Sequence, residues 1–204
     1  MAGLSCRLWP QHDRLQSVQS LERSRPLAGD LCRAGHDDAE RRALDRQHVD
    51  QGAAGRRRRK RGAKAQAIGR SRGGRTTKIH AITDSQGRLF RFLLTPGNVA
   101  DITAAYDLTP GLPAKGCLIG DRGYDARKLR QDLAFRGTAS VIPTNPTHKY
   151  QWSIDLHTYK ARNLIERMFN RLKDHRRIAT RYDKLARNFA SAVASVAVVI
   201  RWAD

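Results

Sequence analysis

The chain has 204 residues, enough for one domain with an appendage but not for two large ones. Its 39 Lys and Arg outnumber 19 Asp and Glu, giving a net charge of +20 and a pI near 11.1. That balance points to a polyanionic partner and argues against basic ones. The longest apolar run, FASAVASVAVVI (Phe189 to Ile200), is interrupted by Ser and Ala and falls short of the roughly 20 residues of a bilayer span, so it reads as a buried terminal helix. No membrane association is expected.

The opening MAGLSCRLWPQHDR turns polar at once, unlike a secretory leader, which predicts a cytoplasmic protein. Residues 1–61 do not read as a folded segment. From Arg33 to Arg61 the only large apolar residues are Leu44 and Val49, and the stretch ends in RRRRKR, Arg56 to Arg61. Such a composition cannot bury enough apolar surface to offset its ordering entropy, and predicts a disordered basic arm on DNA phosphate. Cys6, Cys32 and Cys117 are odd in number and far apart, so neither disulfides nor a zinc site are expected.

After Gly69 the texture changes. Arg72 to Arg75 signals a turn, Thr76 to Asp84 (TTKIHAITD) alternates as a strand, and Arg88 to Thr95 returns as its hairpin partner across Ser85-Gln86-Gly87. His80, on the first of these strands, reads as structural. Pro96-Gly97-Asn98 ends the sheet and Asp101 can cap a short helix to Leu108. Gly116 to Asp125 (GCLIGDRGYD) is a short apolar strand stopping on Asp121, an acidic residue poorly placed for packing and well placed to face a site. Asp125 is expected to cap the helix that follows and ends at Gly137, and Ala139 to Thr144 forms another strand. Strand, strand, helix, strand, helix, strand, helix predicts a mixed α/β layer fold.

The stretch YKARNLIERMFNRLK, Tyr159 to Lys173, reads as a helix with two faces. Tyr159, Arg162, Glu166 and Lys173 fall within roughly 60° of one another on a helical wheel, while Leu164, Ile165, Met168 and Leu172 form a packing face. Glu166 is the only glutamate after Glu40 and sits among Arg162, Arg167, Arg171 and Lys173. By itself it is either an ion-pair partner or the ligand of a metal that acts on an anion.

The spacing Y-x2-R-x3-E-x6-K resembles the glutamate signature of bacterial DDE transposases. With its continuation DHRRIATRYDK, and with IGRSRGGRTTKIHA, TPGNVAD and DRGYDA upstream, the chain resembles the insertion-sequence-five family over roughly Gly62 to Tyr182. The resemblance implies an RNase H-like mixed sheet with flanking helices over residues 62–204 and metal-dependent cleavage and transfer of DNA strands at transposon ends. It implies two Mg²⁺ ions, with Mn²⁺ as an alternative, and assigns Asp121 and Glu166 as catalytic metal ligands. Arg162 and Lys173 would hold transposon-end phosphate and Tyr159 would stack on or hydrogen-bond to DNA. Arg75, Lys78, Arg176, Arg177 and Arg181 are further candidates for backbone contacts. A homodimer on DNA, at the nucleoid, is expected from the family.

The family's first aspartate, on the first central strand, has no match: Asp45 and Asp50 lie on no apolar strand and neither is assigned. The first strand is therefore expected to be missing, and the chain to be inactive alone. The genetic code suggests a cause. Arg46 to Gln51 can be written CGA CAG CAC GTC GAT CAA, and a start one base later gives GAC AGC ACG TCG ATC AAG, or DSTSIK, which resembles the family's upstream motif. The same shift from Trp9 through Leu31 permits an aromatic-rich amphipathic sequence. Residues 1–61 are thus expected to be out of frame, the frames meeting near Lys60 to Gly62. The alternative function is a non-catalytic DNA-binding inhibitor or accessory protein of transposition.

Overall fold

The computed structural model describes residues 41–51, 62–71, 74–114 and 116–203. Its centre is a strand that the sequence does not announce, β1 (Arg41–Gln51). On one edge β1 pairs antiparallel with β3 (Gly74–Thr83), from Ala43 opposite Thr83 to Asp50 opposite Thr76. On the other it pairs in parallel with β5 (Cys117–Gly120) near its start and with the two-residue β7 (Thr180–Arg181) near its end.

The expected hairpin forms. β3 returns through Ser85-Gln86-Gly87 as β4 (Leu89–Pro96), with the Asp84 carboxylate accepting from the N–H groups of Gln86 and Arg88 and Gly87 taking a φ of 78°. A short β2 (Gly69–Ser71) extends the same edge of β3, and β6 (Ala139–Val141) continues the sheet in parallel beyond β5. The hairpin and central strand run antiparallel while β1, β5 and β6 are parallel, a mixed seven-stranded sheet of RNase H-like order. The turn residues Arg72 and Gly73, like Cys6, Cys32 and the Arg56–Arg61 run, lie outside the described residues.

Helices cover both faces, as the alternation of β1 requires. Ala43, Val49, Ile79 and Ala81 face α5 (Asn163–Asp174) and α7 (Ala186–Ala203), where Ile165, Met168, Phe169, Leu172, Phe189 and Val193 are buried. Leu44, Ile82 and Leu118 face the opposite way, onto Ala105 and Leu108 of α2 (Asp101–Leu108) and Leu129 and Leu133 of α3 (Arg127–Phe135). The remaining short helices are α1 (Gly62–Ala65), α4 (Leu156–Tyr159) and α6 (Arg176–Ala179).

The expectation of a missing first strand is corrected: β1 fills that place. Its composition hid it because a central strand is stabilised by its neighbours rather than by its own propensity. Arg42 is buried with its guanidinium 5.6 Å from the centre of the Phe90 ring, and Asp45 is buried by the site described below, so charged residues occupy positions where the sequence pattern calls for apolar ones. The terminal helix forms as expected but is only half buried, for Val198, Val199 and Trp202 are exposed.

Two capping assignments also change. The residue before α3 is Ala126, with no side-chain cap; Asp125 instead accepts from Arg130, from the N–H of Asn145 and from His148 Nδ1. Burial pushes the Asp125 carboxyl up, but these hydrogen bonds and cations outweigh it and hold it below the usual carboxylate range. The residue before α2 is Ala100, and Asp101 is the first residue of the helix, with its side chain turned to the sheet.

Candidate active site

In the parallel pair of β1 and β5, Leu44 lies opposite Gly120. The next residue on each strand is an aspartate, so Asp45 and Asp121 stand side by side at the sheet's end. Asp45 is 7% exposed, and burial first, then the charge of Asp121, pushes its carboxyl above the usual range despite the hydrogen bond from the Arg46 N–H at 2.7 Å and the nearby guanidinium of Arg162. Asp121 accepts from the Gly123 N–H at 2.7 Å, the turn that its DRGY setting predicts. A Cβ at Gly123 would come within 2.9 Å of the Asp121 carboxylate and 3.0 Å of Arg46 Nη1, so a side chain there would have to push these groups aside.

The helical stretch predicted from Tyr159 to Lys173 is in fact broken. α4 ends at Tyr159, a 3-10 turn spans Lys160–Arg162, and α5 begins at Asn163. The break sets Arg162 over β1, where Nη1 reaches Asp45 Oδ2 at 3.3 Å and Nη2 donates to Glu166 Oε1. Asp45, Asp121 and Glu166 are thus brought to one place from a central strand, the end of its neighbour and a covering helix. The sequence left Asp45 unassigned; the signal available for it was its position two residues before Gln47 and four before Val49, on the face that bears Ala43.

Residue 46 points to the opposite face, as strand alternation demands. Arg46 Nη1 lies 2.6 Å from Asp101 Oδ2 and 3.5 Å from Asp121 Oδ2, and Lys78 Nζ lies 2.9 Å from Asp101 Oδ1. The Tyr124 hydroxyl, fully buried, is pushed far up by burial and then by Asp45, Asp101 and Asp121, and has no hydrogen-bond partner among the described residues. His80 is buried behind Lys78, bonded to the Thr95 hydroxyl at 2.8 Å, and burial lowers its pKa to about 4, in keeping with a structural role.

Several expected DNA contacts are placed otherwise. Lys78 is buried, its ammonium shared between Asp101 and the Val99 carbonyl, because β3 has both faces covered. Arg181 is also buried, bonded to Thr77 and to the carbonyls of Gln66 and Ala67. Tyr159 packs against the cluster of Cys117, Ile119 and Val141, with the Arg162 guanidinium 6.0 Å from its ring centre. Arg75, Lys173, Arg176 and Arg177 are exposed, the last held by Asp183 at 3.0 and 3.1 Å.

The carboxylates are hard oxygen donors of the kind a divalent cation takes. Their arrangement does not fit one, however. Among the described residues no three ligating side chains come within reach of a common ion, because guanidinium groups lie between them: Arg162 between Asp45 and Glu166, and Arg46 beside Asp121.

A mixed sheet with helices on both faces carries these carboxylates, one on the central strand, one after its parallel neighbour and one on a covering helix. The chain belongs to the family described as Transposase DDE domain, which matches residues 36–200 and thus includes β1. It is 41% identical over 119 residues to the transposase of insertion sequence element IS6501 of Brucella ovis, spanning 58% of this chain and 92% of that relative. It is 29% identical over 127 residues to the transposase of insertion sequence element IS402 of Burkholderia cepacia, spanning 54% of this chain but only 55% of that relative. Among solved structures, the piggyBac transposase synaptic complex with hairpin DNA is similar at a TM-score of 0.37 and 15% identity, covering 55% of this chain and 24% of that one.

Proposed function

We propose that this chain is the catalytic part of an insertion-element transposase of the insertion-sequence-five family, which cuts and transfers DNA strands at transposon ends. The observation that carries the reading is that Asp45 of the central strand and Glu166 of the covering helix share Arg162, while Asp121 follows the strand paired beside Asp45. Strand cleavage by displacement at phosphorus calls for carboxylates grouped beside a cationic surface that holds the polyanion. Arg75, Lys173, Arg176 and Arg177 would supply phosphate contacts from the exposed surface, and a homodimer would bring two ends together.

Divalent ions, Mg²⁺ or Mn²⁺, would need these carboxylates released from their guanidinium partners. As arranged, the site supports low activity of the chain alone, now because its carboxylates are neutralised rather than because the first is lacking. The same neutralisation favours the second reading, a DNA-binding inhibitor that occupies transposon ends without cutting them.

We further infer that residues 1–61 are translated one base out of frame. In the shifted frame both Asp45 and Arg46 are replaced, Asp45 by Ile or Thr and Arg46 by the aspartate that opens DSTSIK, so the first carboxylate of the restored site stands at position 46. The nucleotide sequence across codons 46 to 51 decides this: any run other than GAC AGC ACG TCG ATC AAG in the shifted frame rejects it.

The functional test is strand cleavage at the element's own ends, comparing the 204-residue chain with a version whose upstream frame is restored. The restored protein should cut with Mg²⁺ and lose at least about a hundredfold in rate on Asp121→Ala or Glu166→Ala, the scale on which removal of an essential charge-stabilising group acts. DNA binding without cleavage by both versions would favour the inhibitor.

A further inference from the structure

Three groups around Asp121 are unexplained by the reading above. Asp101 is a further carboxylate at the sheet's end, from α2, which none of the expected roles uses. The Tyr124 hydroxyl is buried with no hydrogen-bond partner among the described residues. Arg46 places a guanidinium against Asp101 and Asp121, with Gly123 leaving the space it needs. A buried hydroxyl left unpaired costs about 1–3 kcal/mol, and beside it Arg46 sets a cation against two of the cluster's carboxylates.

We propose that Arg46 is a built-in cation of this cluster: its guanidinium draws Asp121 toward Asp101 and thereby keeps the Asp45–Asp121 pair from taking a divalent ion. This rests on Asp45 and Asp121 being the site's paired carboxylates. Arg46 lies on Asp121 Oδ2, the oxygen not engaged by the Gly123 N–H, so a divalent ion taking that oxygen meets the guanidinium charge there. Removal of Arg46 leaves Asp101 with Lys78 as its partner and Asp121 with the Gly123 N–H, its charge free to take another cation. Arg46 is then a determinant of cation affinity at Asp121.

The test is Mn²⁺ titration of the full chain at fixed ionic strength, with free Mn²⁺ read by electron paramagnetic resonance and no DNA present. Arg46→Gln should bind Mn²⁺ about tenfold or more tightly than the unsubstituted chain, the scale on which partners of metal ligands act. Adding Asp121→Asn to that variant should abolish the gain. Equal affinity with and without Arg46, or a gain that survives Asp121→Asn, overturns the proposal. Should circular dichroism show that Arg46→Gln does not fold, the same comparison is read on Arg46→Met, whose stem fills similar space. A variant that gains Mn²⁺ binding but cuts no DNA upholds the role of Arg46 and counts against strand cleavage.

Discussion

At the scale of single residues, the site sets two opposing pH dependences. His80 is held neutral by burial, with a pKa of about 4 against 6.5 for the unfolded chain, so the unfolded state binds the extra proton between those values. The stability it contributes is present above pH 6.5 and should be lost as the pH falls through about 4. Asp45 behaves in the opposite sense. Burial and the neighbouring Asp121 raise its folded pKa, so its contribution is present below the unfolded carboxylate value and declines as the pH rises through the raised one. Denaturant melts across this range should show Asp45→Asn gaining on the unsubstituted protein above the carboxylate range and matching it at the acid end. A constant difference at every pH would show that the Asp45 charge is not penalised in the fold. Asp121 and Glu166 were legible in the sequence from motif spacing; Asp45 was not, because nothing local distinguishes it from Asp50, and only the pairing of β1 with β5 sets it beside Asp121.

Among the elements, the loop between β6 and α4 depends on one buried ion pair. Arg130 of α3 donates through Nε and Nη2 to Asp125 Oδ1, with Nη2 also reaching the Ile142 carbonyl, and its guanidinium lies 5.5 Å from the centre of the Trp152 ring. Both side chains are almost fully buried, at 6% and 3% exposure. Arg130→Ala leaves the Asp125 charge with only Asn145 and His148, and should cost about 3–5 kcal/mol in equilibrium unfolding, as for other broken buried pairs. The double variant Arg130→Met with Asp125→Leu should cost less than Arg130→Ala, since no charge is then stranded. The sequence placed α3 correctly but took Asp125 for its cap. A cap and a buried anchor both precede a helix, and the choice depends on Arg130 and Asn145 arriving from elsewhere.

For the whole molecule, charge outlasts any local reassignment. Residues 62–204 alone carry 25 Lys and Arg against 11 Asp and Glu, so the basic excess does not depend on the first 61 residues. Binding to duplex DNA should weaken steeply and linearly on logarithmic axes as salt rises, with a slope near −0.9 per phosphate contact. Removing Lys173, Arg176 and Arg177 together should reduce that slope by about three at most, whereas a variant of the buried Lys78 should act through folding instead. Fluorescence anisotropy across a salt series separates the two. By itself the sequence determined the hairpin, the strand ending on Asp121, the two-faced glutamate helix and the basic surface, because each follows from periodicity, turn chemistry or composition within a short window. The tertiary structure decided the central strand, the place of Asp45, the burial of Lys78 and Arg181, and the arginines among the carboxylates. Those depend on which distant segments pair, and a charged residue is tolerated inside a fold only where such partners meet it.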